Sequence, residues 1–140
     1  MKLLLDTNVL SEVTRPQPAP SVLEWLDALD EDQTFISVIS LAEIRRGIAL
    51  LDKGRRRDAL AQWLAEDLPQ RFDRRVIPVH QPVALAWGDL MGGAKRSGRG
   101  MSSMDRLIAA TASAYDLTLA TRNIGDFQGW SIKLQDPWAM

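Results

Sequence analysis

Three consecutive leucines, Leu3 to Leu5, run directly into Asp6. A short apolar run of this kind reads as a buried strand of a parallel α/β sheet. An acid at its end delivers a carboxylate to the C-terminal edge of the sheet, which is where open α/β sheets bind ligands. A carboxylate there is either paired with a cation or costly to bury. An apolar strand offers Asp6 no solvated face, so the fold is constrained by whatever else reaches that edge.

The rest of the chain alternates strands with helices, which argues for α/β with a parallel sheet. NVLSEVTR after Asp6 reads as a short helical turn, and residues 15–20, RPQPAP, as an extended loop. Ser21 is expected to cap a helix over 21–29, with Glu24 completing a capping box. Residues 34–39, TFISVI, read as a second strand. Ser40 is expected to cap the helix that follows, with Leu41, Ile44, Ile48 and Leu51 on its inner face and Gly54 at its end. A third helix is expected over 55–68, stopped by Pro69. Residues 75–79 read as a strand that Pro78 confines to an edge or to its own end. A helix starts near Pro82, and its glycine-rich, basic tail over 92–100 is expected to be mobile. Ser102 or Ser103 caps an alanine-rich helix over 104–117. Thr118, Leu119 and Ala120 form a short buried strand, and 130–134 a last one.

At 140 residues, with 46% apolar and 25% charged residues, the chain is of ordinary globular composition, and one domain over 1–140 is expected. The net charge of −1 leaves nucleic-acid binding to local patches. The chain has no cysteine, which removes disulfides, thiolate zinc sites and cysteine nucleophiles, and its single histidine, His80, cannot make a histidine-rich metal site. His80 and Pro82 read as loop structure, with a general base as the lesser alternative for His80. Neither a signal peptide nor a run of transmembrane length stands out, so a cytoplasmic protein with no membrane contact is expected.

Four acids stand out by position. Asp6 ends the first strand, Glu43 is expected in the first turn of the helix after the second, Asp105 in the first turn of the alanine-rich helix, and Asp126 after the fourth strand. In a parallel sheet these places share one edge. Each has a plainer reading. Glu43 suits a capping box begun by Ser40. Asp105 suits a helix N-terminus, worth roughly 0.3–1 kcal/mol, and Asp126 a turn beside Gly125.

The segments LLLDTNVLSE, ISVISLAEIRRGI, DRLIAATASAYDLTLATRN and GDF, in this order, resemble the PIN-domain ribonucleases, and in particular the VapC toxins of bacterial toxin–antitoxin pairs. The resemblance implies a three-layer α/β/α sandwich with a central parallel sheet, a metal-dependent endoribonuclease and a cognate, VapB-like antitoxin. Asp6, Glu43 and Asp105 match the family's acidic triad and Asp126 its less constant fourth acid. Thr7 and Asn8 match the DTN motif, and Thr121, Arg122 and Asn123 the TRN motif, in which Thr121 resembles a hydroxyl that orients a carboxylate or water. The chain departs from many members in having GMSSMD, without a proline, before Asp105.

Oxygen ligands without histidine or cysteine suit a hard cation, Mg²⁺ or Mn²⁺. Such an ion would activate water and neutralise phosphate charge in phosphodiester hydrolysis. Asp6, Asp105 and Asp126 are assigned as metal ligands, direct or through water. Glu43 is assigned to metal or to the attacking water. Asn8, Thr121 and Asn123 are supporting residues. Candidate RNA contacts are Arg46, Lys95, Arg96, Arg99 and Arg122, with Arg45 and Arg106 nearby, while Arg55 to Arg57 read as a solvated face. A homodimer is expected, with Trp130 and Trp138 as candidates to cover the sheet edge or a dimer contact, and DNA contact only through the antitoxin. Two other readings stay open. A magnesium-dependent phosphatase-like hydrolase would want a second acid where Asn8 stands. A catalytically silent PIN module or receiver-like regulator would not need four intact acids.

Overall fold

The computed structural model describes residues 1–97 and 102–139. The chain runs β1 (Leu3–Leu5), α1 (Thr7–Glu12), α2 (Pro20–Asp27), β2 (Thr34–Ser37), α3 (Val38–Ala49) and α4 (Arg55–Gln62). It continues through α5 (Leu68–Arg71), β3 (Val76–Ile77), α6 (Gln81–Ser97), α7 (Ser103–Ala114), β4 (Thr118–Ala120), α8 (Ile124–Phe127) and β5 (Leu134–Gln135). The five strands form one sheet in the order β3-β2-β1-β4-β5, and every pairing is parallel. All strands therefore point their C-terminal ends to the same edge. β1 lies at the centre, where the chain order reverses between β2 on one side and β4 on the other. That reversal is the place where doubly wound sheets open a crevice.

Side chains alternate across a strand, and the three leucines divide accordingly. Leu3 and Leu5 join Val9, Leu10, Val22, Leu26, Ile44 and Ile48 in one core, beneath α1, α2 and α3. Leu4 joins Ile108, Ala109, Ala112, Leu119 and Phe127 in another, beneath α7. The small side chains of α7 allow a close approach to the sheet, and α6 packs in turn on α7. The result is the expected three-layer sandwich around a parallel sheet. Among the described residues, no helix is long and apolar enough to cross a membrane.

Two helix starts differ from expectation. α2 begins at Pro20, whose missing N–H costs nothing at the first helical position, so Ala19 and not Ser21 is the N-cap. The Ala19 N–H donates to Glu12 Oε2 at 2.7 Å. Glu12 is buried and also pairs with Arg15 at 3.4 Å, which ties the proline-rich segment to the end of α1. α3 begins at Val38, capped by Ser37, whose hydroxyl accepts from the Ile39 N–H at 3.0 Å. The β2–β3 ladder ends at the Ser37–Ile77 pair, so the backbone is free to turn into a helix there. Ser40 is thus inside α3 and buried, and Glu43 lies in the second turn, beyond reach of a capping box.

Other boundaries also move. Leu51 is on the exposed side, α3 stops at Ala49, and Gly54 precedes α4 as its N-cap. Pro69 does not stop the third helix. Residues Trp63–Asp67 form a π turn, in which the Leu68 N–H bonds to the Trp63 carbonyl, and the widened turn accommodates the proline ring as the helix continues to Arg71. β3 keeps only Val76 and Ile77 and is an edge strand, with Pro78 just past its end. Gly129 and Ser131 have φ of 85° and 57°, outside the extended region, so the last strand starts only at Leu134. α6 carries through the glycines as far as Ser97, so 92–97 are helical and not a loose tail; residues 98–100 lie outside the described residues.

The two serines can be told apart by unfolding in urea. Ser37→Ala should cost about 1 kcal/mol, the usual value of an N-cap side chain. Ser21→Ala should stay within about 0.5 kcal/mol, as for an exposed position with no special role. Equal losses would contradict these helix starts.

A candidate active site at the C-terminal edge of the sheet

Asp6 follows β1 directly and is 4% exposed. Its backbone N–H continues the ladder to the Ala120 carbonyl at 2.9 Å, which puts Thr121 of the neighbouring strand end beside it. Its Oδ1 accepts from the Thr7 N–H at 2.8 Å, where Asp6 also caps α1. Its Oδ2 accepts from the Thr121 hydroxyl at 2.7 Å and from Asn8 Nδ2 at 3.2 Å. A carboxylate has about four lone-pair positions, so these three donors leave room for a further ligand.

The residues after Asp6 interlock with those after β4. Asn8 Nδ2 also donates to Thr121 Oγ1 at 3.2 Å, and Asn8 Oδ1 accepts from the Arg122 N–H at 3.2 Å. Thr121 Oγ1 accepts the Asn123 N–H at 3.0 Å. The side chains of Asn8 and Thr121 thus hydrogen-bond to Asp6 and to each other, whereas Asn123 contributes through its backbone. Thr7 was not among the expected site residues. Its hydroxyl bonds to Glu43 Oε1 at 2.7 Å and to the buried Ser40 Oγ at 3.0 Å, while its N–H holds Asp6. One residue thus orients two of the acids. The signal for Ser40 was its spacing, three residues before Glu43 on one helix face.

Asp105 is in the first turn of α7, and its N–H donates to the cap Ser102 Oγ at 3.1 Å. Ser102, of the two serines, is the cap. Burial pushes the Asp6 carboxyl up from 3.8 to about 6, the hydrogen bonds from Thr121 and Thr7 oppose the rise, and the charges of Asp105 and Glu43 add to it. Two of the other three acids therefore act electrostatically on Asp6. Asp126 lies in α8 and is exposed, with its N–H on the Asn123 carbonyl. Among the described residues, no three acids or histidines are drawn up around one point closely enough to hold an ion. The donor chemistry fits a hard cation, but Asp126 stands outside the charges felt by Asp6.

A family model described as PIN domain matches residues 3–128. This chain belongs to the PIN-domain family. It is 39% identical over 136 residues to Toxin FitB of Neisseria gonorrhoeae, covering 97% of this chain and 98% of that one. It is 35% identical to VapC ribonuclease Y4jK of Sinorhizobium fredii, covering 97% of each. The crystal structure of FitAcB from Neisseria gonorrhoeae superposes with a TM-score of 0.92 at 38% identity, covering 99% of both chains. FitAB bound to an IR36 DNA fragment superposes at 0.91 with 37% identity, covering 99% of this chain and 96% of that one.

The basic residues of this PIN domain do not behave alike. Arg46 is exposed on α3, and Arg122 is exposed at the rim of the site. Arg106, although next to Asp105, is buried with Nη1 on Met91 Sδ at 2.8 Å, which removes it from substrate contact. Lys95 and Arg96 lie in the last turns of α6, and Arg99 lies outside the described residues. His80 stacks on Tyr115 with ring centroids 5.6 Å apart. Tyr115 is the C-cap of α7 and Asp105 is in its first turn, so the histidine is at the far end of that helix from the acids. It is no general base for this site.

The raised Asp6 pKa makes a signed prediction. The folded value lies above the unfolded one, so Asp6 favours the folded state below about pH 4, and that favour is lost as pH rises through about 6. A difference of about two units corresponds to about 2–3 kcal/mol. Relative to Asp6→Asn, the metal-free wild type should lose roughly this amount between pH 4 and pH 7 in urea unfolding with EDTA. A difference that stays flat with pH would refute the desolvated-carboxylate account.

Proposed function

We propose that this protein is the toxin of a toxin–antitoxin pair, a metal-dependent endoribonuclease that hydrolyses RNA phosphodiester bonds. The observation that carries the reading is a buried Asp6 whose carboxyl is raised by its burial, with the charges of Asp105 and Glu43 adding to the rise, and which still has acceptor capacity unused. The names of the relatives, one a toxin and one a ribonuclease, support it. Asp6 and Asp105 would hold Mg²⁺ or Mn²⁺, and Asp126 would join them directly or through water. Glu43 would hold the ion or orient the attacking water. The ion, when bound, neutralises phosphate charge and lowers the pKa of a water. The chain itself keeps the Asp6 oxygens aimed, through Thr121, Asn8 and the Thr7 N–H, and it aims Glu43 through the Thr7 hydroxyl.

A phosphatase with an aspartyl nucleophile is disfavoured by Asn8. Its amide is engaged with Asp6, Thr121 and the Arg122 N–H, so it stands as a support and not as the second acid that such chemistry wants. A silent binding module has no use for a costly buried carboxylate flanked by two more negative charges.

The antitoxin is expected to approach the acids along a groove of about 240 Å³ between α1, α3 and α4, which runs from Thr7 and Glu43 past Gly47 and Ile48 to Trp63. The protein would dimerise through its own surface and meet DNA only by way of the antitoxin.

Purified protein should cut total RNA internally with Mn²⁺ or Mg²⁺ and stop in excess EDTA. Asp105→Asn should lower the rate by about two orders of magnitude or more, the scale of losing a group that acts in the chemical step. Co-expression with the adjacent small gene should yield a complex with suppressed cleavage. Cleavage that persists unchanged in EDTA would overturn the metal-dependent reading.

A further inference from the structure

Arg122 is exposed beside an acidic site and yet pairs with none of the carboxylates among the described residues. An arginine whose backbone borders a carboxylate site can reach back to it through charge-assisted hydrogen bonds. Here its Cζ lies over the Trp138 ring, 5.2 Å from the centroid. The contact is fixed at both ends. The Arg122 N–H is held by Asn8 Oδ1 at 3.2 Å, on the same asparagine that steadies Asp6. Trp138 lies in the turn Pro137–Ala139, where its N–H donates to Asp136 Oδ1 at 2.9 Å, Pro137 is buried, and the ring packs against the core beneath α1 and α2.

We propose that Trp138 is a positioning residue that keeps Arg122 off the acidic edge and presents its guanidinium to an RNA phosphate flanking the one that is cut. The proposal rests on the ribonuclease reading and deepens it. An arginine paired with Asp6 or Asp126 would block the place of the cation and lose its value to the substrate. Resting on an aromatic face, the guanidinium keeps its charge and its N–H groups available, which suit phosphate oxygens. RNA carries a phosphate on each side of the scissile one, so a cation at the rim of the acids meets the backbone and not the reacting centre. Such a contact adds affinity without reading sequence.

The test is a double-mutant cycle in the Asp105→Asn background, which separates binding from cleavage. Fluorescein-labelled bulk transfer RNA is titrated at several salt concentrations, and melting curves are recorded for every variant. Arg122→Ala should weaken binding about tenfold and reduce the slope of log K against log salt by about one. Trp138→Ala should weaken it about three- to fivefold, the scale of an exposed cation–π contact, and Trp138→Phe should fall between it and the parent. In the Arg122→Ala background, Trp138→Ala should have no further effect. The phenylalanine variant and the arginine variant keep the test decisive should Trp138→Ala fail to fold. Additive losses, or an unchanged salt slope for Arg122→Ala, would overturn the proposal while leaving cleavage by the wild type to stand. A wild type that neither binds nor cuts RNA with Mn²⁺ would instead overturn the ribonuclease reading, and this proposal with it.

Discussion

The structure depends on one desolvated carboxylate. Asp6 is carried to the middle of the sheet edge by a strand that has no polar face, and its burial raises its pKa against the pull of the hydrogen bonds that hold it. Three donors make that burial tolerable, and two of them come from the residues that immediately follow it. The third, Thr121, is 115 positions away and is brought into place only by the pairing of β1 with β4. A slip of one residue in that register would turn Thr121 to the other face of the sheet and leave Asp6 with local donors alone.

The same register binds the site into a unit. Asn8 spans Asp6, Thr121 and the Arg122 backbone, while Thr7 spans Asp6, Ser40 and Glu43. A change at the end of either strand is therefore felt by acids on the other. This rigidity is of use to a site that gathers like charges, since carboxylates free to move would drift apart. It also explains why Thr7, Asn8 and Thr121, beside Asp6 in the DTN and TRN segments, are small polar residues with both donor and acceptor capacity.

Around this centre the fold supplies surfaces of opposite character. The groove between α1, α3 and α4 is mixed apolar and polar and opens at Glu43. Elsewhere, past the end of β4, Arg122 lies on the Trp138 ring. Negative charge at the centre and a cation held at the margin suit a polyanion that must be gripped beside, and not through, the reacting group.

Local pattern determined a good deal. Apolar runs ending in polar residues marked β1 and β4, alternation of strands and helices implied a parallel sheet, and the one-edge rule for such sheets brought Asp6, Glu43 and Asp105 together before any coordinates. Ser102 as the cap that places Asp105 was also legible, as one of two adjacent candidates. What sequence could not decide were choices between equal local alternatives. Ser37 and Ser40 are both good caps, and only the end of the β2–β3 ladder selected the first, which moved Glu43 out of a capping box and under the Thr7 hydroxyl. Pro69 reads as a stop until a π turn makes room for it. Arg106 and Arg122 look alike in sequence, yet packing buried one against Met91 and laid the other on Trp138. The reason is the same in each case. Periodicity and capping act over a few neighbours along the chain, whereas burial, charge coupling and ring contacts depend on which distant residues the sheet brings side by side.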